Sequence, residues 1–274
     1  MTPDDSDPAN PEEWFRVMSF NVRVDQASDG EDAWTHRAGE AASVIRLHEP
    51  DVVGCQELLA HQLSDLREAL PAYAWVGEDR KAGDRPGEHV AIGYRTDRFT
   101  PRDHDTFWLS ETPDVPGSVG WDGYHPRIAT WVRLEDSVTD ADLLHLNTHL
   151  DHEGPRARRE GARLVLERLA DLRAGAPVAV GGDYNCTTDG EAYAVLTGEG
   201  DAESPLADAR TATPHRAHGP TTTRTDFEEL LPEMRIDHVF VDGLAVAGYG
   251  VAADLGGNDW FPSDHLPVVV DLQR

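Results

Sequence analysis

Short apolar segments alternate along the chain with segments of helical periodicity. Helices are predicted at 36–48, at 61–70 and from Pro155 onward, where Val165, Leu169 and Leu172 fall on one face. Strands are predicted where brief runs of mostly apolar residues occur, at 16–21, 51–57, 89–94, 127–134, 143–150, 177–182, 236–241 and 266–272. The pattern therefore indicates an α/β protein.

The order of these elements predicts a layered fold. Helices intervene between only some of the strands, which favours mixed sheets over a uniform parallel barrel. Two mixed sheets packed face to face with helices outside account for the arrangement. No linker rich in Gly, Ser or Pro divides the chain, so we expect a single domain over residues 14–274, preceded by a disordered acidic tail at 1–13. The long loops predicted at 105–126 and 197–226 are expected to carry function.

The charge balance is unusual. The 274 residues include 51 acidic and 24 basic side chains, a net charge of −27, and Lys81 is the only lysine. Self-repulsion of this size destabilises a compact chain in dilute buffer, whereas molar salt shortens the Debye length to about 3 Å and screens it. The acids are spread over the whole sequence, which indicates a salt-adapted (halophilic) protein. An ordinary acidic protein from a GC-rich genome is the alternative interpretation.

Composition also bears on compartment. No apolar run approaches the roughly 18 residues needed to span a bilayer, and the acidic start does not resemble a secretory signal. Two cysteines, Cys55 and Cys186, cannot form a disulfide framework. We therefore expect a cytoplasmic protein without a membrane partner. The sequence does not indicate its oligomeric state.

Chemically capable residues recur where predicted strands end. Taken singly, each has an ordinary explanation as a turn or capping residue. Together, if the strand ends converge on one edge of the sheets, they assemble carboxylates, amides and imidazoles in one place. These residues are Asn21, Glu57, His149, Asp183, Asn185, Asp237, Asp264 and His265.

Spacing adds two expectations. Asp183 and Asn185 are two positions apart and would point to the same side if strand geometry continued. Asp264 and His265 are adjacent and would point to opposite sides, so that one could meet a metal and the other a phosphate.

The motifs that carry these residues resemble the endonuclease/exonuclease/phosphatase superfamily. Their order and spacing agree from about residue 14 to the end of the chain. The motifs are Ser-Phe-Asn21, Gln-Glu57, Thr-His149, Gly-Asp183-Tyr-Asn185, Arg-Ile-Asp237-His-Val-Phe and Ser-Asp264-His265-Leu-Pro-Val. The resemblance implies a four-layer α/β/β/α sandwich and hydrolysis of a phosphoester bond with Mg²⁺ or Mn²⁺, by in-line attack of an activated water.

The resemblance also implies roles for a metal set. Glu57 is the expected central metal ligand, with Asn21 beside it and Asp264 reaching the same or a second metal. This oxygen-rich set favours Mg²⁺ or Mn²⁺ over zinc.

The remaining roles concern water and phosphate. Asp183 is expected to orient and deprotonate the attacking water, and Asn185 to donate to a phosphoryl oxygen. His265, paired with Asp237, is expected to contact the phosphate, and His149 to lie near the leaving group. Two further residues are assigned to substrate binding: Arg127 as a phosphate contact and Glu88 as a group that could orient His149.

Three functions stay open on the sequence alone. The first is a phosphoesterase acting on a phosphodiester or a phosphomonoester. The second is a nuclease with the same site, which the charge does not favour because the longest basic run is 156–159. The third is a non-catalytic binding module that keeps the fold, against which the complete set of motif residues argues.

Overall fold

Two six-stranded sheets form the centre of the computed structural model, which describes residues 14–81, 87–198, 205–257 and 259–274. The first sheet has the order β11-β12-β1-β2-β4-β3. Its strands are β1 (Trp14–Asn21), β2 (Val52–Leu58), β3 (Tyr73–Val76), β4 (His89–Arg95), β11 (Ala245–Val251) and β12 (Val268–Gln273). Here β1 and β2 run parallel, and the other described neighbours pair antiparallel.

The second sheet has the order β5-β6-β7-β8-β10-β9. Its strands are β5 (Phe99–Trp108), β6 (Ile128–Asp136), β7 (Ala141–His149), β8 (Val178–Asp183), β9 (Ala207–Asp208) and β10 (Asp237–Asp242). Here β7 and β8 form the parallel pair. Each sheet thus has two central parallel strands whose carboxyl ends lie at the same edge.

Helices cover the outer faces of both sheets. They are α1 (Trp34–His48), α2 (Ala60–Ala69), α3 (Pro155–Leu172), α4 (Glu191–Thr197) and the single turn α5 (Ala209–Ala212). Alternation along the strands explains the layers, because successive side chains point to opposite faces. In β1, for example, Val17 packs into the core between the sheets, whereas Met18 packs with Ile45 of α1. On the other side, Val165 and Leu169 of α3 pack against the second sheet. The predicted α/β/β/α sandwich of two mixed sheets is therefore confirmed.

The predicted strands and helices are all present, with ends shifted by a few residues, but several elements were missed. The strand β5 begins at Phe99 and covers the start of the predicted loop 105–126, and the described part of the loop 197–226 contains β9 and α5. From Thr100 to Asp105 the side chains of β5 are exposed, so the strand lacks the apolar alternation by which strands are predicted. The strand β11 is rich in glycine and alanine and carries a bulge after Val246.

The predicted tail at 1–13 lies outside the described residues. None of the helices that the structure describes combines the length and apolar character that a membrane crossing requires.

Candidate active site

The carboxyl ends of the two parallel strand pairs meet at one edge of the sandwich. Asn21 ends β1 and Asp183 ends β8, and these strands belong to different sheets. The amide nitrogen Nδ2 of Asn21 lies 3.0 Å from Oε1 of Glu57 and 3.0 Å from Oδ2 of Asp183. Nε2 of His149 lies 3.5 Å from the same Asp183 oxygen. Four of the predicted residues thus surround one point between the sheets.

The backbone around Glu57 departs from regular strand geometry. The pairing of β2 with β4 shifts between Cys55 and Leu58, and Glu57 has a φ of 66°, in the left-handed region that side chains other than glycine rarely adopt. Bulges of this kind redirect a side chain beside a functional site. The backbone N–H of Val24 donates to Oε2 of Glu57 at 2.8 Å and holds the carboxylate in this position.

A turn, and not a continuing strand, brings Asn185 into the site. The backbone N–H of Asn185 donates to Oδ1 of Asp183 at 2.9 Å, and Asn185 has a left-handed φ of 48°. Its Nδ2 lies 3.0 Å from Nε2 of His149 and donates to the carbonyl of Leu150 at 3.0 Å. The condition for Asp183 and Asn185 to point to the same side, that strand geometry continues, is not met, because the strand ends at Asp183.

His265 and Asp237 form a buried pair behind Asp183. Nδ1 of His265 lies 2.8 Å from Oδ2 of Asp237, and Nε2 lies 3.6 Å from Oδ2 of Asp183. Burial alone would lower the pKa of His265, but the carboxylates of Asp237 and Asp183 outweigh it and raise that pKa to about 9. Burial raises the pKa of Asp183 to about 6 against the opposing charge of His265.

His149 is electrostatically the opposite of His265. Burial holds its pKa well below the ordinary value, and the positive charges of Arg127 and Arg80 lower it further. The ring is therefore neutral at pH 7. A neutral Nε2 can accept a hydrogen bond, as it does here from the amide of Asn185.

Arg224 joins the site from a loop and was not predicted. Its Nη1 donates to Oδ2 of Asp264 at 3.0 Å and also contacts Nε2 of His265. Nη1 of Arg23 lies 3.6 Å from the same Asp264 oxygen. Asp264 and His265 therefore face one guanidinium, which corrects the expectation that they point to opposite sides. No local pattern marks Arg224, because it is one arginine in a polar loop and only a backbone bridge to His265 brings it here.

The two predicted substrate-binding residues lie in a neighbouring cluster. Arg127 is buried, with Nη2 2.9 Å from Nδ1 of His152. Glu88 accepts from Nη2 of Arg80 at 2.5 Å. The side-chain partner of His149 is Asn185, so the orienting role of Glu88 stays a prediction. Arg80 was missed, because its sequence neighbourhood is an ordinary polar turn.

The donors at this edge fit a hard divalent cation. Ligand atoms of Glu57, His149 and Asp183 lie within 4.8 Å of one another, as do those of Asp183, Asp237 and His265. In the described part of the chain, Asp264 belongs to neither group, and its buried Oδ1 has no hydrogen-bond partner. Asn21 presents Nδ2 to the carboxylates, while its Oδ1 accepts from Arg23. Asn21 would therefore offer its Oδ1 to a cation at Glu57 only after its side-chain amide turns over.

The chain is similar in sequence and fold to several known proteins. A mannosyl-6-phosphatase from Bacteroides thetaiotaomicron is 37% identical, with a TM-score of 0.87 over 95% of this chain and 100% of that one. An endonuclease/exonuclease/phosphatase structure from Bacteroides vulgatus is 35% identical, with a TM-score of 0.89 over 95% and 98% of the two chains. An uncharacterized protein of Acanthamoeba polyphaga mimivirus is 26% identical over 250 residues, or 86% of this chain and 91% of that one. The model of the endonuclease/exonuclease/phosphatase family matches residues 18–265, and the chain belongs to this family.

Proposed function

We propose that this chain is a divalent-metal-dependent hydrolase of phosphomonoesters, with a sugar phosphate as the substrate class. The observation that carries the proposal is the contact of Asn21, Glu57, Asp183 and His265 around one point between the sheets. Family membership supports a hydrolase of phosphoester bonds. The similarity to a mannosyl-6-phosphatase over nearly the whole of both chains supports a monoester of a sugar.

Glu57 is the central group that would hold Mg²⁺ or Mn²⁺, with Asn21 and Asp264 as the further ligands that the family resemblance implies. The bound cation supplies positive charge to the nonbridging phosphate oxygens. Asp183 is assigned to take the proton of the attacking water. A pKa of about 6 suits that role, because the carboxylate is mostly ionised at pH 7 yet retains affinity for a proton.

The imidazoles and amides are assigned to the phosphate. Asn185 is assigned to a phosphoryl oxygen, and its Nδ2 would exchange the contact with Nε2 of His149 for that oxygen while it keeps its bond to the carbonyl of Leu150. The ring of His265 contacts the phosphate and is oriented by Asp237. His149 is assigned to the region of the leaving oxygen, where Asn185 positions its ring.

The two alternatives have less support. A nuclease grips a polyanion through basic surface, and this chain has a net charge of −27. A non-catalytic binding module has no need for a buried base, whereas Asp183, Asp237 and His265 form a buried titratable group.

A hydrolysis screen in molar KCl tests the proposal. We expect Mg²⁺- or Mn²⁺-dependent release of phosphate from sugar 6-phosphates, lost on addition of a chelator, with slower turnover of bis-p-nitrophenyl phosphate and single-stranded DNA. Glu57→Gln should lower kcat at least about 10²-fold, since an amide is a poor ligand for a hard cation. Turnover that survives the chelator, or faster cleavage of DNA than of any monoester, would contradict the proposal.

A further inference from the structure

Two buried arginines lie beside His149, and the roles assigned above leave much of their hydrogen-bonding capacity unused. Arg80 and Arg127 are each only 5% exposed. Arg80 pairs with Glu88 through Nη2 alone. Arg127 uses Nη2 for His152, and its Nε lies 3.5 Å from Oδ2 of Asp151.

Several of their nitrogens have no acceptor. Within the described residues, Nε of Arg80 and both Nε and Nη1 of Arg127 are buried without a hydrogen-bond partner. A guanidinium carries five N–H donors, and a buried donor without an acceptor is destabilising, more so when it is charged. The unpaired nitrogens of the two arginines therefore favour an anionic ligand as a further acceptor beside Glu88 and Asp151.

The field of the two arginines reaches the catalytic ring. Besides burial, both charges lower the pKa of His149, and both help to lower that of His125 to about 4. Burial lowers the pKa of Arg80, and the charge of Glu57 in turn acts to raise it. The backbone places the pair at the same edge of the sandwich, because Arg127 directly precedes β6, which pairs with the β7 strand of His149. The ring of His89, next to Glu88, likewise contacts the carbonyl of Leu58 beside Glu57.

Acidic side chains hold Arg80 and Arg127 in place but leave some of their N–H donors unpaired. Glu88 holds one edge of Arg80, and Asp151 approaches one edge of Arg127. Asp151 is itself held by backbone N–H groups of Gly154 and Tyr124 at 2.8 and 3.0 Å. The guanidinium groups are therefore fixed before any ligand arrives, which favours bidentate recognition of an oxyanion.

Resting on the hydrolase activity proposed above, we infer that Arg80 and Arg127 form a phosphate pocket that selects dianionic phosphomonoesters over phosphodiesters. A monoester has three nonbridging oxygens and two negative charges near neutral pH. A diester has two such oxygens and one charge, and its second ester group would meet the arginines without accepting a charge-assisted bond. The two arginines thus determine which class of phosphoester binds at the position of the scissile phosphate.

The test is a ratio of two activities. Arg127→Gln and Arg80→Gln are assayed with Mn²⁺ on p-nitrophenyl phosphate and bis-p-nitrophenyl phosphate, with Arg102→Gln as control, since Arg102 is an exposed partner of Glu135 on β5. We expect kcat/KM for the monoester to fall about 10²-fold and that for the diester by less than about threefold. The control variant should leave both activities and their ratio unchanged. Arg127→Lys should lose less activity than Arg127→Gln, because lysine keeps the positive charge. The recovery should be only partial, because lysine lacks the planar guanidinium that forms two parallel hydrogen bonds.

Binding of inorganic phosphate provides a readout independent of turnover. With Mn²⁺ present, calorimetry should show phosphate binding at least about tenfold weaker in both glutamine variants than in the control. If the unmodified chain hydrolyses neither ester, the proposed function fails, and the phosphate titration still decides whether the pocket exists.

Three results would overturn the inference. The first is an equal loss on monoester and diester, which marks a structural role. The second is phosphate affinity unchanged in folded variants. The third is a loss confined to a sugar 1,6-bisphosphate while the 6-phosphate is turned over normally, which places a second phosphate, and not the scissile one, on the arginines.

Discussion

The two oxygens of Asp183 have different surroundings. Oδ1 accepts the backbone N–H of Asn185, whereas Oδ2 faces the amide of Asn21 and the rings of His149 and His265. One oxygen is thus anchored, and the other points to the place where the phosphate and the water are expected. The pKa values of these two rings shift in opposite directions, since the carboxylates of Asp237 and Asp183 raise that of His265 above its ordinary value and burial lowers that of His149.

Replacement of this carboxylate tests its role. Asp183→Asn should lower kcat at least about 10²-fold, because an amide cannot take a proton from water, and His265→Ala should cost about as much. His36→Ala, on the exposed face of α1, is the control and should keep full activity. Steady-state kinetics on folded variants is the measurement. Near-full activity of Asp183→Asn would refute the assignment of the base.

At the scale of elements, one buried amide joins the two sheets next to the site. Nδ2 of Asn147, on β7, donates to the carbonyls of Cys55 and Ala91 in the first sheet, both at 2.9 Å. Its Oδ1 accepts from Nε2 of Gln56 at 2.6 Å. Because β2 ends beside Glu57 and β7 ends at His149, this bridge sets the distance between the two halves of the site.

Gly54 makes room for this bridge. A Cβ at Gly54 would lie 2.7 Å from Cγ of Asn147, whose three hydrogen bonds prevent it from moving away. We expect Gly54→Ala to lower the free energy of unfolding by about 1–3 kcal/mol and to lower kcat as well. Gly181→Ala on the facing strand is the matched control, since its Cβ would lie 3.4 Å from Cβ of Ser19. Urea unfolding of both variants decides, and equal stabilities would show that the amide bridge can shift.

At the scale of the whole molecule, charge is expected to govern stability. The net charge of −27 is distributed over the chain, and salt adaptation stays a prediction. We expect the Tm to rise by roughly 10 °C or more between dilute buffer and molar KCl, because screening removes repulsion among the acids. Thermal unfolding monitored over a KCl series is the measurement. A Tm that is highest in dilute buffer would instead indicate an ordinary acidic protein.

Buried histidines should make the fold sensitive to acid. Burial lowers the pKa of His145 to about 3 and that of His238 to about 4. In the unfolded chain a histidine has its ordinary pKa of 6.5, so between pH 6.5 and the lowered pKa the unfolded chain binds more protons than the folded one. The free energy of unfolding is therefore at its full value above pH 6.5 and falls as the pH drops toward 3. Each such group contributes a slope of up to about 1.4 kcal/mol per pH unit.

His145→Leu isolates one of these groups. Between pH 7 and 5 it should lose about 2 kcal/mol less unfolding free energy than the unmodified chain, because one proton fewer is taken up on unfolding. His104→Leu, on the exposed part of β5, should keep the original slope. Urea unfolding at each pH gives the slopes. Identical slopes for all three proteins would show that folding does not lower the pKa of His145.

Local patterns sufficed for much of this protein. Apolar runs and helical periodicity predicted the central strands and the main helices, because burial of one face imposes a period that is visible in a short window. Strand-end positions also identified the polar residues that meet at one edge, from Asn21 in β1 to His265 before β12. Asn21 and Asp183 follow a recognisable apolar segment, whereas Asp237 and His265 stand at the start of one, because β10 and β12 run antiparallel to β8 and β1.

Other features of the site are set by the tertiary structure alone, because they depend on contacts between residues that are distant along the chain. Arg80 and Arg224 lie in ordinary polar loops of the sequence. Only the folding of the chain brings Arg80 near His149 and Arg224 into contact with His265. Edge strand β5 has mostly exposed side chains, and it is a strand because its backbone pairs with β6. The contrast between the raised pKa of Asp183 and the lowered pKa of His149 follows from burial and from neighbouring charges, since a pKa is a property of a folded environment.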